Sequence, residues 1–180
     1  AYFFKISPVN EAGVSTSGVE SSTATFTGAQ ATGVGDTSYN VVSGGKNYKV
    51  HKFTQAGSLT IQGNLLNPEI LIVAGGGGGG MDMGGGGGGG GVIAGSVSSL
   101  SAGTYNVVVG LGGDGAPKPE SGSTEKRQRD NHPFSYPAKN GQNSSFGDFV
   151  ALGGGGGGTT YEQCAIAIPS YGGSGGGATG

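Results

Sequence analysis

Charged and aromatic side chains that could make specific contacts are concentrated in one segment, residues 118–139. The segment reads KPESGSTEKRQRDNHPFSYPAK and holds eight of the 20 charged residues of the 180-residue chain. Long polar loops on a rigid scaffold often carry binding function, and Arg, Tyr and Phe are frequent at interaction hot spots. Two interpretations stay open, a solvated surface insertion and a loop that recognises a cell-surface glycan or protein. The candidate contact residues are Arg127, Arg129, Asp130, His132, Phe134 and Tyr136.

A second candidate contact site is the tripeptide Met81, Asp82 and Met83, which joins two glycine runs at residues 75–80 and 84–91. One interpretation is a tight hairpin turn in which Asp82 satisfies backbone groups, as turn aspartates do. The other is an exposed tip, where methionine side chains offer adaptable apolar contact. The sequence leaves both interpretations open.

Catalytic chemistry has little support in this sequence. The chain has two histidines, of which His51 is in the strand-like segment KVHKF and is expected to face solvent or to satisfy a sheet edge. The single cysteine, Cys164, has no partner for a disulfide or a CxxC zinc site. The carboxylates are sparse and scattered, so no glycosidase pair can be assigned. We therefore expect no catalytic residue, no metal site and no cofactor, and a protein that is not an enzyme.

The glycine runs also do not form a nucleotide-binding loop. A dinucleotide site needs a helix after the glycines and an acidic residue about 20 positions further on, and neither is present. Eight consecutive glycines at residues 84–91 would disfavour a helix by about 1 kcal/mol each relative to alanine. The Gly-Lys-Ser/Thr sequence of a phosphate-binding loop does not occur.

Net charge and hydropathy argue against two further classes of partner. The formal net charge is −2, without long runs of one sign, so nucleic acid is not an expected partner. No segment reaches the roughly 18 apolar residues of a membrane span, so membrane insertion is not expected.

The segments between the glycine runs predict an all-β fold. Residues 48–61, YKVHKFTQAGSLTI, and residues 104–109, TYNVVV, are rich in the β-branched and aromatic residues that strands favour. A further strand is expected at residues 70–73, with turns at GGK and QAG. No window shows the spacing of an amphipathic helix.

The 44 glycines are clustered, which favours order over a flexible linker. The runs are at residues 75–80, 84–91, 153–158 and 172–177, the last interrupted by Ser174. Ordering a residue costs about 1–2 kcal/mol, so one run alone stays disordered. Several runs packed side by side as extended helices with three residues per turn can exchange backbone hydrogen bonds, because no side chain projects between them. We therefore expect a bundle of polyglycine II helices.

The first 27 residues resemble part of a second domain type. YFFKISPVNEAGVSTSG is similar to the last hairpin of a fibronectin type III domain, with an aromatic-x-aromatic-x-aliphatic strand followed by a Val-Asn-x-x-Gly turn. A lone hairpin is only marginally stable, and the chain lacks a start methionine. We therefore expect a longer polypeptide with residues 1–27 as the end of that unit and residues 28–38 as a linker.

Residues 39–177 resemble the glycine-rich domain of bacteriophage tail fibre and tail-tip proteins. The similarity is carried, in order, by YKVHKFTQAGSLTI, PEILIVAGGGGGG, GGGGGGGGVIAGSVSSLSAGTYNVVVGLGG, NGQNSSFGDFVALGGGGGG and GGSGGG. The resemblance implies an antiparallel, jelly-roll-like β-sandwich with bundled polyglycine II helices over residues 39–180, continuing beyond residue 180. The segment 118–139 departs from the family pattern, which has a short glycine turn there.

The resemblance also implies a function and a location. It suggests a structural and host-recognition segment of a phage tail fibre or tail tip, located in the virion and forming a homotrimer. Expected partners are a bacterial surface receptor, either a glycan or an outer-membrane protein, and other tail proteins. The alternative is a structural module of an extracellular bacterial filament or surface protein, in which the glycine bundles mediate subunit packing.

Overall fold

The computed structural model describes residues 4–6, 36–81, 84–116 and 138–158, and within these ranges the chain has eleven strands and no helix. The pairs with a defined register are antiparallel, which confirms the predicted all-β fold. The strands are β1 (Phe4–Ile6), β2 (Asp36–Ser43), β3 (Lys46–Phe53), β4 (Gly57–Ile61), β5 (Leu65–Leu66), β6 (Glu69–Val73), β7 (Val92–Ser96), β8 (Ser99–Leu100), β9 (Gly103–Val108), β10 (Ser144–Phe146) and β11 (Phe149–Ala151).

The chain forms two compact units. The first unit comprises Ala1–Ile72 and Ile93–Val108, and the second comprises Val73–Val92 and Val109–Gly180. The first unit holds most of the strands. The second unit holds the glycine runs and the hairpin of β10 and β11.

A three-stranded antiparallel sheet in the order β1-β3-β2 belongs to the first unit. Its hairpin of β2 and β3 turns at Gly44 and Gly45, whose φ angles of 60° and 75° are those of a type I′ turn. That turn needs positive φ at both central residues, which glycine adopts without strain. On the other side of β3, Phe4 of β1 lies opposite His51.

The remaining strands of the first unit are paired in shorter ladders. β4 pairs with β9 so that Leu59 lies opposite Tyr105, β5 pairs with β8, and β6 pairs with β7. Cross-strand hydroxyl groups of Thr60 and Thr104 approach to 3.0 Å. Buried and half-buried residues alternate along β6 and over the last three residues of β4, so each of these strands has one buried face.

Apolar side chains form the core of the first unit. Phe53 and Leu59 have no exposed surface, and Ile72 is 1% exposed. His51 is also buried, at 2% exposure, so the expectation that its side chain faces solvent was wrong. In the sheet, His51 belongs to the central strand, with Phe4 of β1 opposite it on one side and Ser38 of β2 on the other, so it does not lie at a sheet edge. The other buried apolar residues of this unit are Val50, Ile61, Leu65, Ile70, Leu100 and Val107.

The described part of the second unit has few large buried side chains. Phe146 of β10 is the largest of them, at 1% exposure, and the buried Ser144, Ala151, Ala74 and Ala138 are small. All residues from 153 to 158 are buried glycines. The interior of this unit is therefore built mainly from backbone.

Two sequence expectations fall largely outside the described residues. Of residues 1–27, the structure describes Phe4–Ile6, which pair with β3, so the fibronectin-like hairpin is untested. Of the expected linker at 28–38, residues 36–38 form the beginning of β2. The glycine run at 172–177 also lies outside the described residues.

Candidate functional site: a bundle of polyglycine helices

Five extended segments of the second unit lie side by side and form the glycine bundle. We number them in chain order as run 1 (75–80), run 2 (84–91), run 3 (110–116), run 4 (138–143) and run 5 (153–158). Run 1 follows β6 directly, run 2 leads into β7, run 4 leads into β10, and run 5 follows β11 by one residue. Each of these four runs is therefore joined in the chain to a strand, either directly or through one residue.

Hydrogen bonds from run 1 repeat every three residues. The amides of Ala74, Gly77 and Gly80 all donate to carbonyl oxygens of run 2, at 2.8–2.9 Å. The amides of Gly75 and Gly78, each one position further on, donate to run 4 instead. A helix with three residues per turn produces this pattern, since every third group points in the same direction. The predicted polyglycine II conformation is therefore present.

Run 1 accepts hydrogen bonds as well as donating them. Run 3 donates to its carbonyl groups from Gly113 and Ala116, and run 5 donates from Gly154 and Gly157, all at 2.8–2.9 Å. The residue numbering of these pairs makes runs 3 and 5 parallel to run 1, whereas runs 2 and 4 are antiparallel to it. Parallel and antiparallel neighbours thus make bonds of the same length.

The contacts define a two-layered arrangement. Run 1 bonds to all four other runs, run 4 bonds also to runs 3 and 5, and run 5 bonds also to run 2. One layer therefore holds runs 3, 1 and 2 in that order, and the second layer holds runs 4 and 5. Run 1 is the centre of the described bundle.

Close backbone approach explains why the central runs are glycine. A Cβ atom at Gly77 would lie 2.0 Å from the carbonyl oxygen of Gly155, and one at Gly78 would lie 2.0 Å from that of Asp114. No glycine of the five runs is among the described residues with positive φ. These positions thus need glycine because of crowding, and the backbone angle alone would permit other residues. By contrast, a Cβ atom at Gly79 or Gly86 would meet nothing within 4 Å.

Runs 3 and 4 are bundle segments that the consecutive glycines of the sequence do not predict. In run 3 the crowded glycines are Gly110 and Gly113, where a Cβ atom would lie 2.2 and 2.0 Å from carbonyl oxygens of run 4. Leu111 and Asp114, which follow them, carry exposed side chains. An outer run therefore needs glycine only at every third position. The spacing of Gly110, Gly113 and the small Ala116 is the signal that could have identified it.

Two asparagines of run 4 replace backbone acceptors for run 5. The Gly153 amide donates to Asn143 Oδ1 at 2.9 Å, and the Gly156 amide donates to Asn140 Oδ1 at 2.8 Å. The two asparagines are three residues apart, as are the two glycines. Side-chain amides therefore continue the same three-residue lattice.

An ion pair joins runs 3 and 4. Lys139 Nζ lies 2.8 Å from Asp114 Oδ2, and the Lys139 amide donates to the Asp114 carbonyl at 2.9 Å. The side-chain hydrogen bond and the opposite charge lower the pKa of Asp114 and raise the pKa of Lys139. In the sequence, Lys139 is the last residue of the polar segment 118–139, but its backbone belongs to run 4.

One end of the bundle, which we call the connection end, gathers the chain links. Gly80 bonds to Gly85, Gly85 bonds to Gly158, and Ala116 bonds to Gly79, so these residues lie at the same level. Run 4 also begins there, since Lys139 bonds to Gly78. Two links therefore begin and end here, one at 81–84, whose last residue Gly84 is also the first residue of run 2, and one at 117–137. The chain beyond residue 158 also continues from this end.

The predicted contact residues belong to those links. Met81 follows run 1 at the connection end and is half-buried. The positions of Asp82, Met83, Arg127, Arg129, Asp130, His132, Phe134 and Tyr136 lie outside the described residues. The structure thus brings together the anchoring points of the two candidate segments.

Metal binding and membrane crossing are two further possibilities for the described part of the chain. Its histidines and carboxylates include no cluster of three or more that could hold a metal ion. The same residues include no helix that is long and apolar enough to cross a membrane.

Comparison with known proteins gives one finding. No curated protein and no solved structure matches the chain. The family model described as Glycine-rich domain matches residues 52–180, which include all five runs. The match covers more than half of the chain, and it begins within β3. The protein therefore belongs to the glycine-rich domain family.

Proposed function

We propose that this chain is a structural and host-recognition segment of a phage tail fibre or tail-tip protein, without enzymatic activity. The glycine bundle acts as a rigid support, and the links at its connection end bind a receptor on the bacterial surface, a glycan or an outer-membrane protein. The chain then acts in the virion, as a homotrimer beside other tail proteins.

The observation that carries this proposal is the common origin of the links. Residues 81–84 and 117–137 belong to different parts of the sequence, yet both leave the bundle at the level of Gly79 and Gly80. We infer that a single ligand contacts both segments. Binding loops positioned by a rigid scaffold are a common arrangement in recognition proteins.

The attachment of each link supports a display role. Link 81–84 is closed by the bond from Gly80 to Gly85, and link 117–137 is flanked by the pair of Asp114 and Lys139. Fixed ends reduce the conformational entropy that a loop loses when it binds, so affinity improves without additional contacts. A backbone lattice of this kind therefore suits a recognition tip.

Loop replacement tests the proposal. Residues 117–137 are replaced by a short Gly/Asn turn, while Ala138 and Lys139 are kept because Lys139 bonds to run 1 and run 3. We expect the variant fibre to fold and to lose binding to host cells. The matched control is Asp148→Ala, an exposed residue in the turn between β10 and β11, which should bind normally.

A second replacement is made if the loop-replaced variant still binds host cells. Met81 and Met83 are then changed together to alanine in the loop-replaced protein. Loss of binding then assigns recognition to the shorter link. Full binding by the combined variant contradicts the proposed recognition role of the connection end.

The alternative function, a module of an extracellular bacterial filament, has one supporting observation. Gly79, Gly86 and Gly89 are exposed, and a Cβ atom at each would meet nothing within 4 Å. A further extended chain could approach this surface closely. Electron micrographs separate the two functions, because a tail tip has few copies of the chain and a filament has thousands.

A further inference from the structure

Run 4 contains the only Asn-Gly dipeptide of the chain, Asn140–Gly141. We propose that this dipeptide is a site of spontaneous deamidation and isomerisation, and that the glycine bundle controls whether the reaction occurs. Asparagine is among the thermolabile residues of proteins. Glycine in the following position lacks a Cβ atom, so its amide is the least hindered backbone nucleophile.

The reaction needs only water as a co-reactant. The Gly141 nitrogen attacks Asn140 Cγ, a new N–Cγ bond forms, the Cγ–Nδ2 bond breaks, and ammonia leaves with the proton of the Gly141 amide. Water then opens the five-membered imide. Cleavage at Cγ gives aspartate, and cleavage at the main-chain carbonyl carbon gives isoaspartate, whose backbone is one methylene longer.

Both reacting groups are occupied in the folded bundle. Asn140 Oδ1 accepts a hydrogen bond from the Gly156 amide at 2.8 Å, and the Gly141 amide donates to the Gly154 carbonyl at 2.8 Å. For the nitrogen to reach Cγ, the side chain must leave Gly156 and the amide must leave Gly154. Run 4 must therefore separate from run 5 before the imide can form.

The position of Asn140 determines what isomerisation does to the bundle. Lys139 and Gln142 each make two backbone bonds, one to run 1 and one to run 3. Asn140 lies between these two bonded positions. An additional methylene at Asn140 lengthens the spacing between them, so both sets of bonds cannot form at once. Isoaspartate therefore weakens the hydrogen bonds of run 4 to runs 1 and 3 irreversibly. Its presence at position 140 shows that the bundle has opened.

Asn143 supplies an internal comparison. Its Oδ1 makes the matching hydrogen bond, to the Gly153 amide at 2.9 Å, but the next residue is Ser144. The Cβ atom of Ser144 hinders attack by its nitrogen. We therefore expect Asn140 to react faster than Asn143 once the bundle is open.

The test follows the protein by mass spectrometry at neutral pH. The folded protein and the protein in urea are incubated in parallel, and the peptide containing Asn140 is examined for exchange of NH2 for OH. We expect loss of ammonia at Asn140 in urea and a rate in the folded protein lower by about tenfold or more, as when opening costs about 1.4 kcal/mol or more. Isomerisation of Asp114 before Gly115 leaves the mass unchanged and cannot mimic this result.

Two variants test, without denaturant, whether the bundle controls the rate of deamidation at Asn140. Gly157→Ala places a Cβ atom 2.0 Å from the Gly85 carbonyl oxygen, and Gly86→Ala places one in open space. We expect faster reaction at Asn140 in Gly157→Ala and an unchanged rate in Gly86→Ala. Equal rates in the folded wild type and in urea overturn the proposed control, and absence of reaction in urea overturns the site.

The structural effect is tested on the reaction products. The isoaspartate-containing fraction is separated and compared with Asn140→Asp, which keeps the normal backbone length and a carboxylate acceptor for Gly156. We expect faster exchange of the Gly75 and Gly78 amides in the isoaspartate form only. Normal exchange in that form contradicts the predicted effect on run 4.

Discussion

A Cβ atom at Gly77 would lie 2.0 Å from the carbonyl oxygen of Gly155. The two residues belong to runs 1 and 5, and the obstructing atom is backbone, so no side-chain rotation can relieve the contact. Gly77→Ala must therefore separate two runs that are held by the bonds from Gly154 and Gly157 to run 1. We expect the free energy of unfolding to fall by about 1–3 kcal/mol or more, the usual range for overpacking.

Gly86→Ala is the matched control for that substitution. The position is exposed, its φ is not positive, and no atom lies within 4 Å of the added methyl group. Because alanine restricts the unfolded chain, we expect an unchanged stability or a gain of up to about 1 kcal/mol. Urea unfolding measures both variants. Equal losses in the two variants would show that glycine is required for another reason than crowding.

Amide hydrogen exchange should show a three-residue period along run 2. The amides of Gly85 and Gly88 donate to run 5 and the Gly91 amide donates to the adjoining Leu152, whereas Gly86 and Gly89 are exposed. We therefore expect slow exchange at the first three amides and fast exchange at the other two. Nuclear magnetic resonance resolves these residues individually. Uniformly fast exchange along the run would contradict an ordered bundle.

Removal of an asparagine acceptor should destabilise run 5. Asn143→Ala leaves the buried Gly153 amide without its hydrogen bond, and a buried unsatisfied donor costs about 1–3 kcal/mol. Asn143→Asp keeps an oxygen at the same position, so its loss should be smaller. Thermal unfolding compares the two. An equal loss in both variants would argue that the side-chain oxygen does not act as the acceptor.

The ion pair of Asp114 and Lys139 should give a small, pH-dependent contribution to stability. The pKa of Asp114 is lowered from its ordinary value of 3.8, so the stabilisation is present above that pH and is lost as pH falls through the lowered pKa. The pKa of Lys139 is raised from 10.5, so the stabilisation is present below that pH and is lost as pH rises through the raised pKa.

The variant that tests this pair is Asp114→Ala, which removes the carboxylate without creating a second Asn-Gly dipeptide before Gly115. Both side chains are exposed, so we expect only a small loss of stability near neutral pH. The difference from wild type should disappear in strong acid and in high salt, where charges are neutralised or screened. Urea midpoints under the three conditions provide the measurement. A difference that persists in acid would assign the effect to packing or to hydrogen bonding.

Sequence patterns predicted the runs of consecutive glycine more readily than the outer runs. Residues 75–80, 84–91 and 153–158 are uninterrupted glycine, which few structures other than a polyglycine bundle can use. Run 3 contains Leu111 and Asp114, and run 4 contains Lys139 and Asn140, so composition did not mark them. Their conformation is set by hydrogen bonds to run 1, which are tertiary contacts that local sequence does not encode.

The relation between the two candidate contact segments also depended on the structure. The sequence alone predicts that Met81–Met83 link two neighbouring glycine runs. The structure places those runs as antiparallel neighbours. The proximity of this link to the ends of 117–137 could not be predicted, because it depends on the parallel alignment of runs 1 and 3. Likewise, the central position of His51 in its sheet depends on β1 pairing with β3 across a large sequence separation, which local sequence does not show.

The three-residue period has a consequence for the reach of the protein. Adding three glycines to each of runs 1 and 2 would leave every existing donor aimed at the same neighbour, because one full turn has been inserted. The link at residues 81–84 would then move outward by one turn, about 9 Å at 3.1 Å per residue. An insertion of one or two residues would rotate the donors away from their acceptors. The length of the bundle can therefore change in discrete steps, each encoded by a gain or loss of three glycine codons per run.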